Sequence, residues 1–199
     1  MQNSTRSGLA SLSLLATTAV WGVTFIFVKW AIAEIDLYYF LFLRFGIASL
    51  IMAAVFHGRL RRITLPTIKA GALLGILFTA IYIAQTEGLR FTSAANSAFI
   101  TGLYMVIIPI CMYFWKGMRP HIFSILAIFI SMPGMYLMTE CGVGGINRGD
   151  LITLIAAFAA AWHIVMTGEF SKRHPVVPLV TCQFVIAAII CGIVAMIRG

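Results

Sequence analysis

TSAANSAFITGLYMVIIP, residues Thr92–Pro109, is apolar enough to enter a bilayer yet crowded with small and hydroxyl side chains. On a helix advancing about 100° per residue, Ser93, Ser97, Thr101 and Tyr104 share one face, with Ala94, Ala98 and Gly102 beside them. Phe99, Leu103, Val106 and Ile110 take the other side. Helices associate in lipid through close packing and hydrogen bonds, so small and hydroxyl residues mark the buried side. That side suits either tight contact with another helix or the wall of a polar cavity. Pro109 has no N–H to donate and is expected to loosen the helix one turn back, near Met105.

The rest of the chain has the same character. Hydrophobic residues make up 61% and charged residues 10%, against about 25% charged in a soluble domain. Such a composition excludes a sizeable soluble domain and points to an all-α membrane protein, a multi-span helical bundle. A crossing needs about 20 helical residues. Seven runs qualify, over 10–33, 37–56, 68–89, 93–115, 121–139, 149–170 and 178–197, joined by short polar connections. No cleavage site follows the first run, which reads as a retained span.

The balance of 14 basic to 6 acidic residues reads as a topology signal rather than a nucleic-acid surface. Arg6, Arg59, Arg61, Arg62, Lys69, Lys116, Arg119, Lys172 and Arg173 fall on one side. Glu34, Asp36, Glu87, Glu140 and Asp150 fall on the other, with Lys29, Arg90, Arg148 and Arg198. The positive-inside rule makes the first side cytoplasmic, with the N-terminus inside and the protein multi-pass in the cell (inner) membrane. Cys111, Cys141, Cys182 and Cys191 show neither CxxC nor histidines at metal spacing, and read as apolar residues. No metal or other cofactor is expected.

An internal repeat is visible. ATTAVWGVTFIFVKW and IAAFAAAWHIVMTGEF align Trp21 with Trp162, each after a run of small residues, and Arg44 answers to Gln183. The second copy begins five spans after the first, so it must be inverted in the membrane. The following loops carry opposite charge, Glu34/Asp36 against Lys172-Arg173-His174, which is the pattern of inverted-repeat transporters. The expected organisation is a five-helix repeat over 1–140 and the first two helices of an inverted second repeat over 149–199. On that reading the second copy is incomplete. Either three further C-terminal spans complete it or another chain does, a second copy of this protein included.

Trp21-Gly22 with Phe25 and Lys29, Arg44-Phe45, Tyr82 with Gln85, Gly149-Asp150 and Ala160-Ala161-Trp162 together resemble the EamA-like ten-helix carriers of the drug/metabolite transporter superfamily. The resemblance implies paired inverted repeats, a central cavity, alternating access, and small metabolites, amino-acid-like compounds or drugs as cargo. His163 stands where that family usually has a small residue.

Polar groups inside spans usually face the bundle interior. Arg44 lies about 10 Å into the second span at 1.5 Å per residue. It faces a cavity and meets an acid or an anionic substrate, or it snorkels to the outer interface. For Lys29 snorkelling is the better reading, and Glu87 is the local carboxylate available to either. Gly71, Gly75, Phe78, Tyr82, Gln85 and Thr86 form one stripe in which the glycines permit close helix approach. The candidate substrate-contacting residues are Trp21, Arg44, Tyr82, Gln85, Asn96, Thr101, Trp162 and Gln183. For each, interhelical packing or hydrogen bonding is the plainer alternative, and Asn96 fits an interhelical bond better than substrate contact.

There is no phosphate-cradling GxxxxGK[ST], no HExxH and no acid one turn from His163, which argues against an ATP-driven pump and an enzyme. The chain is expected to be a secondary carrier working by efflux or exchange, with a small-molecule substrate and the lipid bilayer as partners. A non-transporting assembly partner, or an inactive piece of such a carrier, is the competing reading.

Overall fold

The computed structural model describes residues 2–61, 63–119, 121–138 and 147–198. The expected acid Glu140, Cys141 and the connection up to residue 146 lie outside them, as do Arg62 and the side chain of Arg6. The described residues are helical apart from short connections. The helices are α1 (Gln2–Glu34), α2 (Leu37–Leu60), α3 (Leu65–Phe91), α4 (Ala94–Gly102), α5 (Tyr104–Lys116), α6 (Ile122–Met138), α7 (Arg148–Phe170) and α8 (Val176–Arg198).

Six of them, with α4 and α5 taken together as Ala94–Lys116, are long and apolar enough to cross a membrane, so this is a multi-pass membrane protein. The expected span 121–139 is the shorter α6, whose 17 residues end where the described chain stops.

The decisive stretch divides differently from the expectation. Thr92 closes α3, and Ser93 caps α4 by accepting from the Asn96 backbone N–H at 3.0 Å. The helix breaks at Leu103, whose N–H reaches the Ile100 carbonyl at 3.1 Å, and resumes at Tyr104. Pro109 sits within α5. The interruption directly follows Gly102, a poor helix former. The carbonyl that Pro109 leaves unpaired belongs to Met105, beyond the break.

The two ends of the bundle are tied by different chemistry. At one end Asp150, only 6% exposed, completes a capping box with Asn147, and its carboxylate accepts from the Thr92 hydroxyl. The Lys29 ammonium donates to the Thr92 carbonyl. At the other end Lys116 and Lys172 both pair with Glu169. The Thr67 hydroxyl there lies 3.0 Å from His174 Nδ1. The Glu169 carboxylate, hydrogen-bonded to the Lys172 ammonium, raises that lysine above its ordinary range. The last residues of α1 and α3 thus meet the first residues of α7, and α7 runs opposite to α1.

Glycines set the spacing. A Cβ on Gly75 would lie 2.8 Å from Ile186 Cβ, and α3 and α8 pack through this face. Gly88 and Gly149 cross backbone to backbone, where α3 meets α7. A Cβ on Gly149 would lie 2.8 Å from the Thr92 nitrogen and 2.9 Å from the Phe91 carbonyl carbon. Close approach of this kind maximises dispersion contacts, the main attraction between helices in lipid. By contrast α1 and α2 show much apolar surface, including Leu12, Leu15, Val20, Leu50 and Val55.

Candidate solute cavity

Between α1, α3, α4–α5 and α7 lies a cavity of about 150 Å³. Trp21 contributes from α1, Phe78, Tyr82 and Gln85 from α3, and Thr101 and Tyr104 from the two sides of the Leu103 break. Ala160, His163 and Ile164 close it from α7. Four aromatic rings and three aliphatic side chains line it, with an amide, two hydroxyl types and an imidazole among them. That is the composition of a small-molecule site, where apolar surface gives affinity and a few polar groups fix orientation.

The amide and the imidazole are held by hydrogen bonds and the rings by one another. Gln85 Nε2 donates to Thr101 Oγ1 at 3.0 Å, which leaves its carbonyl oxygen for another partner. Tyr82 is packed edge-on against Phe45 and tilted against Phe78, with centroids 5.0 and 4.6 Å apart. Trp21 lies 6.4 Å from the Tyr104 ring. His163 Nε2 lies 2.9 Å from Gln183 Oε1 on α8.

Arg44 does not line this cavity but borders a narrow adjoining seam, which has Trp21 and Gln85 in common with it. Its guanidinium carbon stands 5.2 Å from the Tyr82 ring centroid and 5.9 Å from that of Phe45. Among the described residues it forms no ion pair. Glu87, the carboxylate expected to serve Arg44 or Lys29, pairs with Arg90 at 3.2 Å instead. The i,i+3 spacing on one helix brings that pair together without tertiary help. Lys29 does not reach free into solvent, because the Thr92 carbonyl takes its ammonium.

Besides Arg44, three of the sequence candidates lie elsewhere. Trp162 packs edge-on against Trp115, centroids 5.9 Å apart, in the α5–α7 core with Ile107 and Cys111. One residue of helix, about 100°, separates it from His163 on the cavity side. Asn96 sits in the first turn of α4 and does not line the cavity. Gln183, 3% exposed, stands behind His163, and its Nε2 has no hydrogen-bond partner. His163 itself was missed as a wall residue. The available signal was a polar side chain in mid-span directly after three alanines and a tryptophan.

These features define a polytopic helical bundle with an aromatic, polar-edged cavity at membrane depth. The chain belongs to the EamA-like transporter family, which its residues 8–140 match. An uncharacterized transporter of Archaeoglobus fulgidus is 31% identical over 166 residues, covering 82% of this chain and 50% of the relative. A second from the same organism is 24% identical over 198 residues, covering 94% of this chain and 67% of the relative. The uncharacterized transporter YvbV of Bacillus subtilis is 24% identical over 185 residues, covering 90% of this chain and 60% of the relative. The chain thus spans about half the length of the first of these relatives. No solved structure matches it.

Proposed function

We propose that this protein carries small organic solutes across the cell membrane by alternating access, as a secondary transporter. The observation that carries the reading is the cavity itself. Its rings and hydrogen-bonding edges sit where helices of opposite direction meet, the usual place for a transporter's binding site. In this account α1–α6 form one repeat, and α7–α8 begin its inverted copy. The N-terminus is cytoplasmic, and the Lys116–Glu169–Lys172 cluster lies at the inner end.

Arg44 selects the charge of the cargo. A half-buried guanidinium without an acidic partner favours an anion, and the residues lining the cavity and its seam include no carboxylate. The preferred cargo is a small, flat, aromatic or unsaturated molecule with one negative charge, its plane against Trp21 and Tyr82.

Exchange assays on proteoliposomes containing the full protein test this. Benzenesulfonate and trimethylphenylammonium have similar bulk and opposite charge. Labelled benzenesulfonate loaded inside should exchange with external benzenesulfonate at least about tenfold faster than the cation exchanges, a difference of about 1.4 kcal/mol. Equal rates, or exchange no faster than in protein-free vesicles, would refute the proposed cargo class.

A further inference from the structure

His163 has chemistry that solute binding alone does not use. It lies 15 residues into α7, about 22 Å along the helix axis, well inside the span. A titratable side chain at that depth is unfavourable unless it serves a cavity, and His163 lines one. We propose that His163 is a proton-binding residue of this cavity, and that a proton on it and an organic anion beside it stabilise each other. The proposal rests on the reading of the cavity as the solute site.

The hydrogen bond to Gln183 fixes where the proton goes. Gln183 Oε1 accepts from Nε2–H, so the neutral ring keeps its lone pair on Nδ1, and Nδ1 takes a second proton from water. An amide orients the ring without supplying a countercharge. Gln183 cannot titrate, and it is shut off from solvent behind the ring.

The other groups around His163 hold their charge. From α3 comes the Tyr82 phenol and from α5 the Tyr104 phenol. Trp21 on α1 and Thr101 on α4 do not titrate in this range. Arg44 on α2, against the Tyr82 ring, is a permanent cation. Histidine is therefore the group here that changes charge between about pH 5 and 8. With no carboxylate in the wall, the imidazolium finds its countercharge in the cargo. Linkage then requires that anion binding favour protonation by the same factor as protonation favours anion binding. The net event is uptake of one proton with one anion, a coupling that needs no buried carboxylate.

Calorimetry of benzenesulfonate binding to the full protein in zwitterionic nanodiscs tests the coupling. The sulfonate stays ionised throughout, so any pH dependence belongs to the protein. Binding should be about tenfold tighter near pH 5.5 than near pH 8, within the usual range of coupling between sites. Proton uptake should appear as a dependence of the heat on buffer ionisation. In His163→Asn the ratio of the two affinities should fall to about one, while Arg44→Gln should weaken binding and keep the ratio. Equal wild-type affinities at the two pH values, or a ratio that survives His163→Asn, would overturn the proton-binding role alone. If neither benzenesulfonate nor trimethylphenylammonium binds at either pH, the cavity reading fails and takes this inference with it.

Discussion

Gly149→Leu is expected to remove most of the folded protein from detergent extracts, while Gly168→Leu leaves its yield close to wild type. At Gly149 the new side chain would have to enter the crossing of α3 and α7. A Cβ alone would lie 2.8 Å from the Thr92 nitrogen and 2.9 Å from the Phe91 carbonyl carbon, and backbone cannot rotate aside as a side chain can. Overpacking a fitted interface costs about 1–3 kcal/mol even where side chains can yield, and the larger end applies here. The displaced Thr92 would also lose its bond to Asp150 and its hold on Lys29. Gly168 has open space around its Cβ position. The readout is the monodisperse fraction on size exclusion, with thermal stability as a second measure. Equal behaviour of the two variants would show that the glycine crossing does not hold the bundle.

Arg44→Gln should lower benzenesulfonate exchange at least about tenfold and leave protein yield unchanged. A hydrogen bond to a charged group contributes about 1.5–3 kcal/mol, which at the upper end exceeds a hundredfold. The wild-type guanidinium is neutralised by no described carboxylate, so its removal strands no buried partner. Trimethylphenylammonium exchange should rise in the same variant, because the repulsive charge is gone. Loss of both activities together would instead mean that Arg44 supports the helices around Tyr82 and Phe45 rather than choosing the cargo.

Much of the architecture was legible because it depends on short-range chemistry. Hydropathy runs and loop charges place the helices, since lipid leaves a backbone little choice but to satisfy its own hydrogen bonds. The stripe of Gly71 and Gly75 announces a close contact because no other residue would allow one, and α8 fills it. The helix direction follows from the order of spans, and α7 does run opposite to α1.

What the sequence withheld is which neighbour each face meets. Trp162 and His163 are adjacent in sequence, yet one joins the α5 core and the other the cavity. Residue type drew attention to the tryptophan, which the repeat had matched to Trp21. Glu87 looked like a partner for a distant cation because its own Arg90, three residues on, was read as a loop residue. Pro109 pointed to a loosened helix near Met105, because a proline leaves the carbonyl four residues back unpaired. The interruption lies at Leu103, two residues before Met105. Tyr82, Gln85 and Thr101 were readable as one group only because helical periodicity and hydrogen-bonding capacity pointed the same way.

The central claim is that water and solute reach the space between α1, α3, α4–α5 and α7. Thiol labelling of Thr101→Cys tests it most directly, in a background with Cys111, Cys141, Cys182 and Cys191 replaced by alanine. Thr101 is 2% exposed and lines the cavity, whereas Met118 is 56% exposed beyond the end of α5 and serves as the accessible control. A membrane-impermeant methanethiosulfonate should modify the cysteine at 101, and benzenesulfonate should slow that reaction without slowing the reaction of Met118→Cys. Modification at 118 with none at 101, in the presence or absence of the anion, would contradict the account.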